Sequence, residues 1–295
     1  MTNIKMLTDR ISPPSSFEGP LSDADPFGAA FFDDPFPTHD ALRNAGPVVW
    51  LERYGVPCVA RYFEVAAVLK DWQQFSSASG VGFANILNET TWRSPSAILE
   101  QDPPEHTRAR AVMQRVLSPI AMKALRESFM AVAEATVEAA LDKGVIDAVT
   151  DLAEAYPLAV FPDALGMSRE GREHILPFAS VVFNAFGPDN QFRRSALATA
   201  APHINWVTEQ CREALTSEGF GGELNKAVKS GQLTEEEAVL LMRSLFSAGV
   251  HTTVSGLAAA LYYLGHAPEQ WQLLRRDPSL ARATFEEAVR LESPV

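Results

Sequence analysis

The sequence predicts a mainly α-helical fold with one small β-hairpin near the N-terminus. Residues 234–265 are strongly apolar and contain no proline, as expected of a long helix in a protein core. Between Met122 and Ala140, apolar side chains recur every three or four positions, which is the spacing of one helix face. Only one pair of neighbouring segments, on either side of residues 53–55, has the composition of two paired strands.

Residues 1–36 are predicted to form an irregular lead, because prolines interrupt them repeatedly and little periodicity is visible. The ordered domain is then expected to span residues 37–295. Its predicted early elements are the hairpin strands 46–51 and 56–60, a short helix at 63–70 and a loop at 80–91.

Most of the remaining chain has helical periodicity. One apolar stripe predicts a helix that ends near residue 141; it comprises Met122, Leu125, Phe129, Val132, Thr136 and Ala140. Further helices are predicted at 169–186 and 192–215, and Pro202 is expected to bend the second or to cap its start. Pro157 and Pro162 leave the helix boundaries after residue 151 open.

The helix predicted at 234–265 has the clearest start signal. Thr234 and Glu237 have the spacing of a capping box, and a helix of this length would extend about 48 Å. A short helix is expected from Pro268 to about Arg276, and the last helix is predicted at 283–292.

Composition excludes several classes of function. The net charge of −12 argues against nonspecific binding to nucleic acid, which needs a basic surface. The N-terminus lacks the apolar core of a signal peptide, and Arg243 and His251 interrupt apolar stretches, so we expect no membrane span. With only Cys58 and Cys211, neither a disulfide framework nor a zinc site is predicted, and we expect a cytoplasmic protein.

Charge is unevenly distributed along the chain. Five basic residues and no acidic residue lie between His106 and Arg126. A solvated helix face explains such a run, and a docking surface for an acidic partner is the alternative.

Gly249 lies in the middle of the longest predicted helix, where glycine costs about 1 kcal/mol relative to alanine. Two explanations are open: another helix packs closely there, or space is kept for a flat ligand. The hydroxyls of Thr252 and Thr253 are expected to bond to the carbonyl oxygens four residues earlier and to open the helix locally. Taken alone, this motif is more often a packing feature than a catalytic one.

Three short motifs follow one another in the order and approximate spacing of the bacterial cytochromes P450. They are HTRAR at 106–110, AGVHTT at 248–253 and EAVR at 287–290. Through these motifs, residues 33–295 resemble a haem-thiolate monooxygenase, which implies the cytochrome P450 fold and a haem cofactor. In that family the iron ligand is a cysteine beyond the position of Val295. We therefore expect a fold that is incomplete at the C-terminus and a chain that is inactive alone.

The resemblance assigns the first motif and part of the second to the cofactor. His106 and Arg110 would hydrogen-bond the haem propionates, since positions i and i+4 share one helix face. Ala248 and Gly249 would contact the haem. The alternative for His106 and Arg110 is an ordinary basic pair on the surface.

Thr252 and His251 are the predicted catalytic residues. In the family, a threonine and the acid before it deliver protons during oxygen activation. His251 stands where Asp or Glu is expected. Imidazole can relay protons near neutral pH but cannot form the same salt bridges, so we expect slower or less coupled turnover than with Asp at this position.

The third motif contributes a structural pair, Glu287 and Arg290. The resemblance implies that this pair is buried and completed by a partner further along the chain. Without that partner we expect the C-terminal end to be loose or aggregation-prone. Cys58 and Cys211 lie outside the haem motifs and are interpreted as buried or incidental thiols.

A narrower resemblance concerns the substrate. The segments WRSPS at 92–96, VFNAFG at 182–187 and RSL at 243–245 look like those of bacterial enzymes that demethylate or hydroxylate para-substituted benzoic acids. An aromatic acid needs a cation at one end and an apolar slot at the other. The residues carried over by position are Arg93, Ser96, Arg243 and Ser244 for the carboxylate and Phe183, Phe186 and Ala248 for the ring.

Two features of the chain count against this substrate assignment. Phe178 replaces a tyrosine of that group, which removes one hydroxyl. Arg243 lies about half a turn from Thr252 on an ideal helix, so only local distortion or a bridging water would let both serve one pocket. The alternative makes Arg93 and Arg243 surface cations and Phe183 and Phe186 ordinary core residues.

The resemblance implies a complete reaction for a full-length relative. Two electrons would come from NAD(P)H through a reductase and an iron–sulfur ferredoxin, which would dock on the basic run between Arg108 and Arg126. One oxygen atom of dioxygen would enter a small aromatic acid by hydroxylation or O-demethylation. Two other interpretations remain: a metal-free helical remnant that binds a small molecule, and an incomplete part of a larger reading frame.

Overall fold

The computed structural model describes residues 10–89 and 91–293. Within these residues the chain is mainly α-helical, with three short strands near the N-terminus, which confirms the predicted fold class. The elements are β1 (Leu21–Ser22), α1 (Ala29–Asp33), α2 (Phe36–Ala45), β2 (Val49–Leu51), β3 (Val56–Cys58), α3 (Tyr62–Lys70), α4 (Glu105–Val116), α5 (Pro119–Lys143), a π-helical turn (Val149–Glu154), α6 (Ala155–Leu165), a 3₁₀ turn (Arg172–His174), α7 (Ile175–Asn184), α8 (Gln191–Ala200), α9 (Ile204–Ala214), α10 (Phe220–Lys229), α11 (Glu235–His266), α12 (Pro268–Arg276), a second 3₁₀ turn (Pro278–Leu280) and α13 (Ala281–Glu292).

The described residues form two compact units. Residues 10–89 and 186–190 belong to the first unit, which holds the strands and α1 to α3. Residues 91–185 and 191–293 belong to the second unit, which holds α4 to α13.

The first unit contains the predicted hairpin, with strands shorter than expected. β2 and β3 pair antiparallel, and Trp50 lies opposite Pro57. β1 adds to the other edge of β2 in parallel, so the segment predicted to be irregular holds a short strand as well as α1. Pro20 does not prevent this pairing, because proline lacks only the backbone N–H. Its carbonyl accepts a hydrogen bond from the Trp50 N–H at 2.9 Å. Residues 1–9 of the predicted lead lie outside the described residues.

The second unit is built around α11. Its start confirms the predicted capping box: Thr234 Oγ1 accepts from the Glu237 N–H at 3.2 Å, and Glu237 Oε2 accepts from the Thr234 N–H at 2.8 Å. Arg108 of α4 also donates to Glu237 at 3.0 Å, which ties the two helices together. α11 packs against α6, α7, α9, α10 and α13, so it forms the core of this unit.

By length and composition, α11 could cross a membrane, contrary to the sequence-based expectation. Its most apolar 18-residue window has a mean hydropathy of 1.2, and along the same helix Leu241, Met242 and Phe246 are fully buried inside the unit. Packing within the unit accounts for the apolar character of these residues, since a central core helix is apolar on most of its faces.

The remaining helices follow local signals closely. α5 covers the predicted stripe, in which Ala140 is buried while Leu125 and Phe129 are half-buried. The helix predicted at 192–215, with a bend or a cap at Pro202, is instead divided into α8 and α9, and Pro202 lies between them. The helix predicted to start at residue 169 starts later because Gly171 adopts a positive φ of 82°, and the Trp206 ring occupies the space where a Cβ would lie.

Candidate functional site

The middle of α11 has the side-chain-to-backbone bonds that the sequence predicts. Thr252 Oγ1 donates to the Ala248 carbonyl at 2.5 Å, and Thr253 Oγ1 donates to the Gly249 carbonyl at 2.7 Å. The helix nevertheless continues without interruption through both residues, so these bonds do not open it. Ala248 is exposed although it lies in the middle of the central helix of the unit. One face of α11 is therefore uncovered at Ala248.

Gly249 is explained by helix packing. A Cβ built on Gly249 would lie 2.0 to 2.6 Å from atoms of the Phe161 ring, which comes from α6. Real Cβ atoms do not approach other atoms this closely, so the ring occupies the space that glycine leaves. Of the two explanations that the sequence left open, the structure supports close packing, and a cofactor is not needed to account for this glycine.

His251 is half-buried beside an aromatic ring. Its imidazole lies 5.1 Å from the ring of Phe183, centroid to centroid. Burial lowers the pKa of His251, and the negative charge of Glu154 opposes this effect. Because the lowered pKa lies below the usual value of about 6.5, the imidazole is neutral at pH 7.

His106 and Arg110 lie one turn apart on α4. Among residues 10–89 and 91–293, no hydrogen bond or ion pair to either side chain is present, and Arg110 is exposed. Their neighbours are occupied: Arg108 binds Glu237, and Arg115 binds the side chain of Gln232. On this helix, His106 and Arg110 can therefore bind an external anion without losing a protein partner.

Arg93 is bound by an acid that the sequence analysis did not assign to the site. Arg93 Nη1 and Nη2 donate to the two carboxylate oxygens of Glu100 at 2.9 and 3.1 Å. Both side chains are well buried, with exposures of 13% for Arg93 and 5% for Glu100. The guanidinium predicted to hold a substrate carboxylate thus already has a bidentate protein partner, and its contact with a substrate stays a prediction.

Ser96 and Ser244, both assigned to the substrate site from the sequence, lie next to each other. Their hydroxyl oxygens lie 3.1 Å apart, and Ser244 Oγ donates its own proton to the Leu240 carbonyl at 2.9 Å. Ser96 Oγ accepts from the backbone N–H groups of Ile98 and Leu99. Since Ser244 has used its proton, the Ser96 hydroxyl is the donor between them.

Arg243 provides the cation of this group. Its Nη2 donates to the backbone carbonyl of Ser94 at 2.7 Å, and no carboxylate pairs with it among the described residues. Burial lowers the pKa of Arg243 to about 10, and the charge of Arg93 lowers it further, whereas Glu100 raises it. The guanidinium therefore stays protonated at neutral pH and lacks a full counter-charge.

Aromatic side chains lie next to the same group. The guanidinium of Arg93 lies 5.8 Å from the centre of the Trp92 ring. That ring contacts Phe178 at 5.9 Å, and Phe178 contacts Phe246 at 5.9 Å, in each case between ring centroids. No site role for Trp92 or Phe246 was predicted from the sequence. Their proximity arises from packing between distant segments, and no local pattern indicates it.

The two phenylalanines predicted to flank the substrate ring are in different units. Phe183 belongs to the second unit and contacts His251. Phe186 belongs to the first unit, where its carbonyl accepts from the Phe83 N–H at 3.1 Å and its backbone fills the space beside Gly82. Their i, i+3 spacing suggested one shared face, but α7 ends at Asn184, before Phe186.

Glu287 and Arg290 pair with each other on the surface. Arg290 Nε and Nη2 each donate to a carboxylate oxygen of Glu287 at 2.7 Å. The side chains are 57% and 64% exposed, so the expected burial of this pair is wrong for this structure. An exposed pair of this kind contributes little to stability.

Neither cysteine carries a reactive thiolate. Cys58 is half-buried in β3 and Cys211 is buried in α9, as the sequence analysis expected. Burial raises the pKa of both thiols, and it raises that of Cys211 to about 12 despite the nearby charge of Arg243. In the protein without a metal, both side chains are therefore thiols at neutral pH.

The chain is similar in sequence to bacterial cytochromes P450. It is 55% identical over 273 residues to cytochrome P450 CYP199A2 of Rhodopseudomonas palustris, an alignment that covers 92% of this chain and 66% of that protein. It is 27% identical over 270 residues to nocardicin C N-oxygenase of Nocardia uniformis, covering 90% of this chain and 67% of that protein. The chain thus spans about two thirds of the length of these relatives. No family model matches it.

Solved structures have the same fold. Cytochrome P450 CREJ in complex with (4-ethylphenyl) dihydrogen phosphate aligns with a TM-score of 0.76 and 26% identity, over 87% of this chain and 68% of that one. P450BioI, in complex with an acyl carrier protein ligated to hexadec-9Z-enoic acid, aligns with a TM-score of 0.70 and 22% identity, over 89% and 70% of the two chains.

Proposed function

Because the chain belongs to the cytochrome P450 family, we propose that it carries the substrate and haem contacts of a monooxygenase that oxidises a small aromatic carboxylic acid. The observation that carries this proposal is Arg243, a half-buried cation without a carboxylate partner among the described residues, next to the facing hydroxyls of Ser96 and Ser244. A cation and a hydroxyl donor together match the needs of a carboxylate.

When the acid binds, the hydrogen bond between Ser96 and Ser244 would be broken. The carboxylate would then accept two bonds, one from Arg243 and one from Ser96. Arg243 supplies the charge, and Ser96 can turn its proton from Ser244 Oγ to a carboxylate oxygen. The half-buried ring of Trp92, which fully buried Phe178 and Phe246 support from below, offers an apolar face on which an aromatic ring would pack. This arrangement favours an aromatic acid over a neutral or aliphatic ligand.

The residues present fit a haem. His106 and Arg110 are cationic or polar donors with no protein partner among the described residues, so they would hold the two propionates. Exposed Ala248 leaves one face of α11 open for the flat side of the ring. When bound and reduced, haem supplies the activation of dioxygen for insertion of one oxygen atom into the substrate.

The residues of α11 next to this face would handle protons. Thr252 holds its hydroxyl proton on the Ala248 carbonyl, and it can release that proton by rotating about its Cα–Cβ bond. His251 is neutral at pH 7, so one ring nitrogen donates and the other accepts. A neutral imidazole can pass a proton without leaving a buried charge behind.

We further propose that the electrons come from NAD(P)H through a reductase and an iron–sulfur ferredoxin in the cytoplasm. Lys123 and Arg126 are exposed on α5, on a chain with a net charge of −12. A positive surface on an acidic protein favours an acidic partner and speeds their association.

Binding of 4-ethylbenzoate, measured by calorimetry against neutral 4-ethylbenzamide, tests the substrate class. The wild-type chain should prefer the acid, and Arg243→Gln should weaken acid binding by about tenfold or more, as for loss of a hydrogen bond to a charged group. Arg275→Gln removes the same charge from the exposed surface of α12 and should change nothing. Equal affinity of the wild type for acid and amide would exclude an aromatic acid as the substrate.

A further inference from the structure

Glu100 is a buried acid that the proposed reaction does not use. Its carboxylate accepts three hydrogen bonds: two from Arg93, at 2.9 and 3.1 Å, and one from the Ser96 N–H at 2.6 Å. The residue as a whole is 8% exposed. Removing a carboxylate from water is costly unless it is paired, and here a charge and a backbone donor both compensate it.

The three charged side chains near the facing serines sum to one positive charge. Arg93 and Glu100 cancel each other, and Arg243 remains. The two guanidinium groups are close enough to interact, since the charge of Arg93 lowers the pKa of Arg243 while Glu100 raises it. Without Glu100, the same space would hold two positive charges.

We propose that Glu100 is a specificity-determining residue: by neutralising Arg93 it leaves Arg243 as the single net charge, so that the site selects a monoanionic aromatic acid over a dianion. This inference rests on the proposed function, because it concerns the same carboxylate site. A ligand with one negative charge neutralises the group, whereas a dianion such as an aryl phosphate leaves a buried negative charge without a partner.

Glu100 also positions the hydroxyl that meets the acid. By accepting from the Ser96 N–H, it anchors the start of the turn in which Ser96 Oγ accepts from Ile98 and Leu99. This holds the Ser96 hydroxyl 3.1 Å from Ser244. The Glu100 carboxylate thus sets both the net charge of the group and the position of the Ser96 hydroxyl. The two effects can be separated by replacing Arg93 and Glu100 with neutral residues in one variant.

The test compares the affinities for 4-ethylbenzoate and 4-ethylphenyl phosphate by calorimetry at pH 8, where the phosphate is a dianion because its second pKa is about 6. The wild type should prefer the benzoate. Glu100→Gln should move the affinity ratio toward the phosphate by about tenfold or more, because the site gains one positive charge. Glu134→Gln removes the same charge from the exposed side of α5 and should leave the ratio unchanged.

The double variant Arg93→Gln with Glu100→Gln separates charge from structure. It returns the group to one positive charge, so its ratio should return close to that of the wild type. Arg93→Gln alone leaves no net charge, and it should weaken both anions with the larger loss for the phosphate. If circular dichroism shows that Glu100→Gln is unfolded, these two variants still test whether the net charge of the group sets the ratio of the two affinities.

The outcomes distinguish the two levels of the proposal. A wild type that does not discriminate 4-ethylbenzoate from 4-ethylbenzamide contradicts the proposed substrate class. A wild type that selects the acid, together with folded variants whose benzoate-to-phosphate ratio stays constant, overturns the role of Glu100 alone. A ratio that shifts in Glu100→Gln but is not restored in the double variant also overturns the charge argument.

Discussion

The hydroxyl oxygens of Ser96 and Ser244 lie 3.1 Å apart although 148 positions separate the two residues in the chain. Ser96 lies in a turn that follows Arg93. Ser244 lies on the central helix α11, where its hydroxyl donates to the Leu240 carbonyl. The contact therefore joins the two segments that the proposed substrate would bridge. It also makes the two hydroxyls chemically unequal, since only Ser96 has a proton to offer.

This inequality predicts different effects of two similar substitutions. Ser96→Ala should weaken binding of 4-ethylbenzoate by about tenfold, because it removes a hydrogen bond to a charged group. Ser244→Ala should weaken binding less, since the Ser96 proton is still present. Calorimetry of the two variants and of the double variant gives the comparison. Equal losses in the two single variants would mean that the donor assignment is wrong.

Haem binding should depend on Arg110 and His106. Arg110→Gln and His106→Ala are each expected to lower the affinity of the chain for haem by about tenfold, since each removes a charge-assisted or polar bond to a propionate. Titration of haem into the protein, followed by absorbance, measures this. Arg115→Gln is the matched control on the same helix, because Arg115 already binds Gln232. Loss of affinity in the control alone would place the propionates elsewhere.

Gly249→Ala should destabilise the protein. The helix gains about 1 kcal/mol of intrinsic propensity, but the new methyl group meets the Phe161 ring at 2.0 Å, and overpacking of this kind costs about 1–3 kcal/mol. We expect a net loss of about 1 kcal/mol in the free energy of unfolding measured in urea. Gly265→Ala, in the same helix, meets nothing within 4 Å and should be neutral or stabilising. Combining Gly249→Ala with Phe161→Leu should recover the loss, and no recovery would contradict the packing explanation.

Glu237 should contribute stability that disappears in acid. Its bonds with Arg108 and with the start of α11 lower its pKa from 4.5 to about 2. Because the folded-state pKa is the lower one, the contribution is present above pH 4.5 and is lost as the pH falls toward 2. Glu237→Gln keeps the capping bond but loses the charge that pairs with Arg108, so it should cost about 0.5–1 kcal/mol at pH 7 and much less near pH 2. Urea unfolding of both proteins at the two pH values checks this, and a cost independent of pH would contradict it.

His251 should destabilise the protein as the pH falls below 6.5. Burial lowers its pKa, so the unfolded chain takes up a proton before the folded one does. Stability at pH 7 is thus unaffected, and it decreases from pH 6.5 downward to the folded-state pKa. His251→Gln should make the unfolding free energy less dependent on pH between 6.5 and the folded-state pKa of His251. His39→Gln, in the first unit, is the control for the loss of a histidine elsewhere. An NMR titration of His251 with a midpoint at or above 6.5 would contradict the prediction.

The elements of the fold that local chemistry determines were predictable from the sequence. The start of α11 follows from Thr234 and Glu237, three positions apart, and the break before α9 follows from Pro202. The bond of Thr252 to the Ala248 carbonyl also lies within one helical turn. Each of these depends on residues a few positions away, so neither packing nor the rest of the chain is needed to infer them.

Only the tertiary structure decided how the site is charged and which residues share it. Glu100 binds Arg93 because a turn brings them together, and the Phe161 ring fills the space at Gly249 because α6 packs on α11. Burial of a charge and contact between distant helices depend on the three-dimensional arrangement of the whole unit, which periodicity and spacing do not encode. The sequence by itself thus determined the helices and the types of side chain, whereas the folded chain determined which cation remains free to bind an anion.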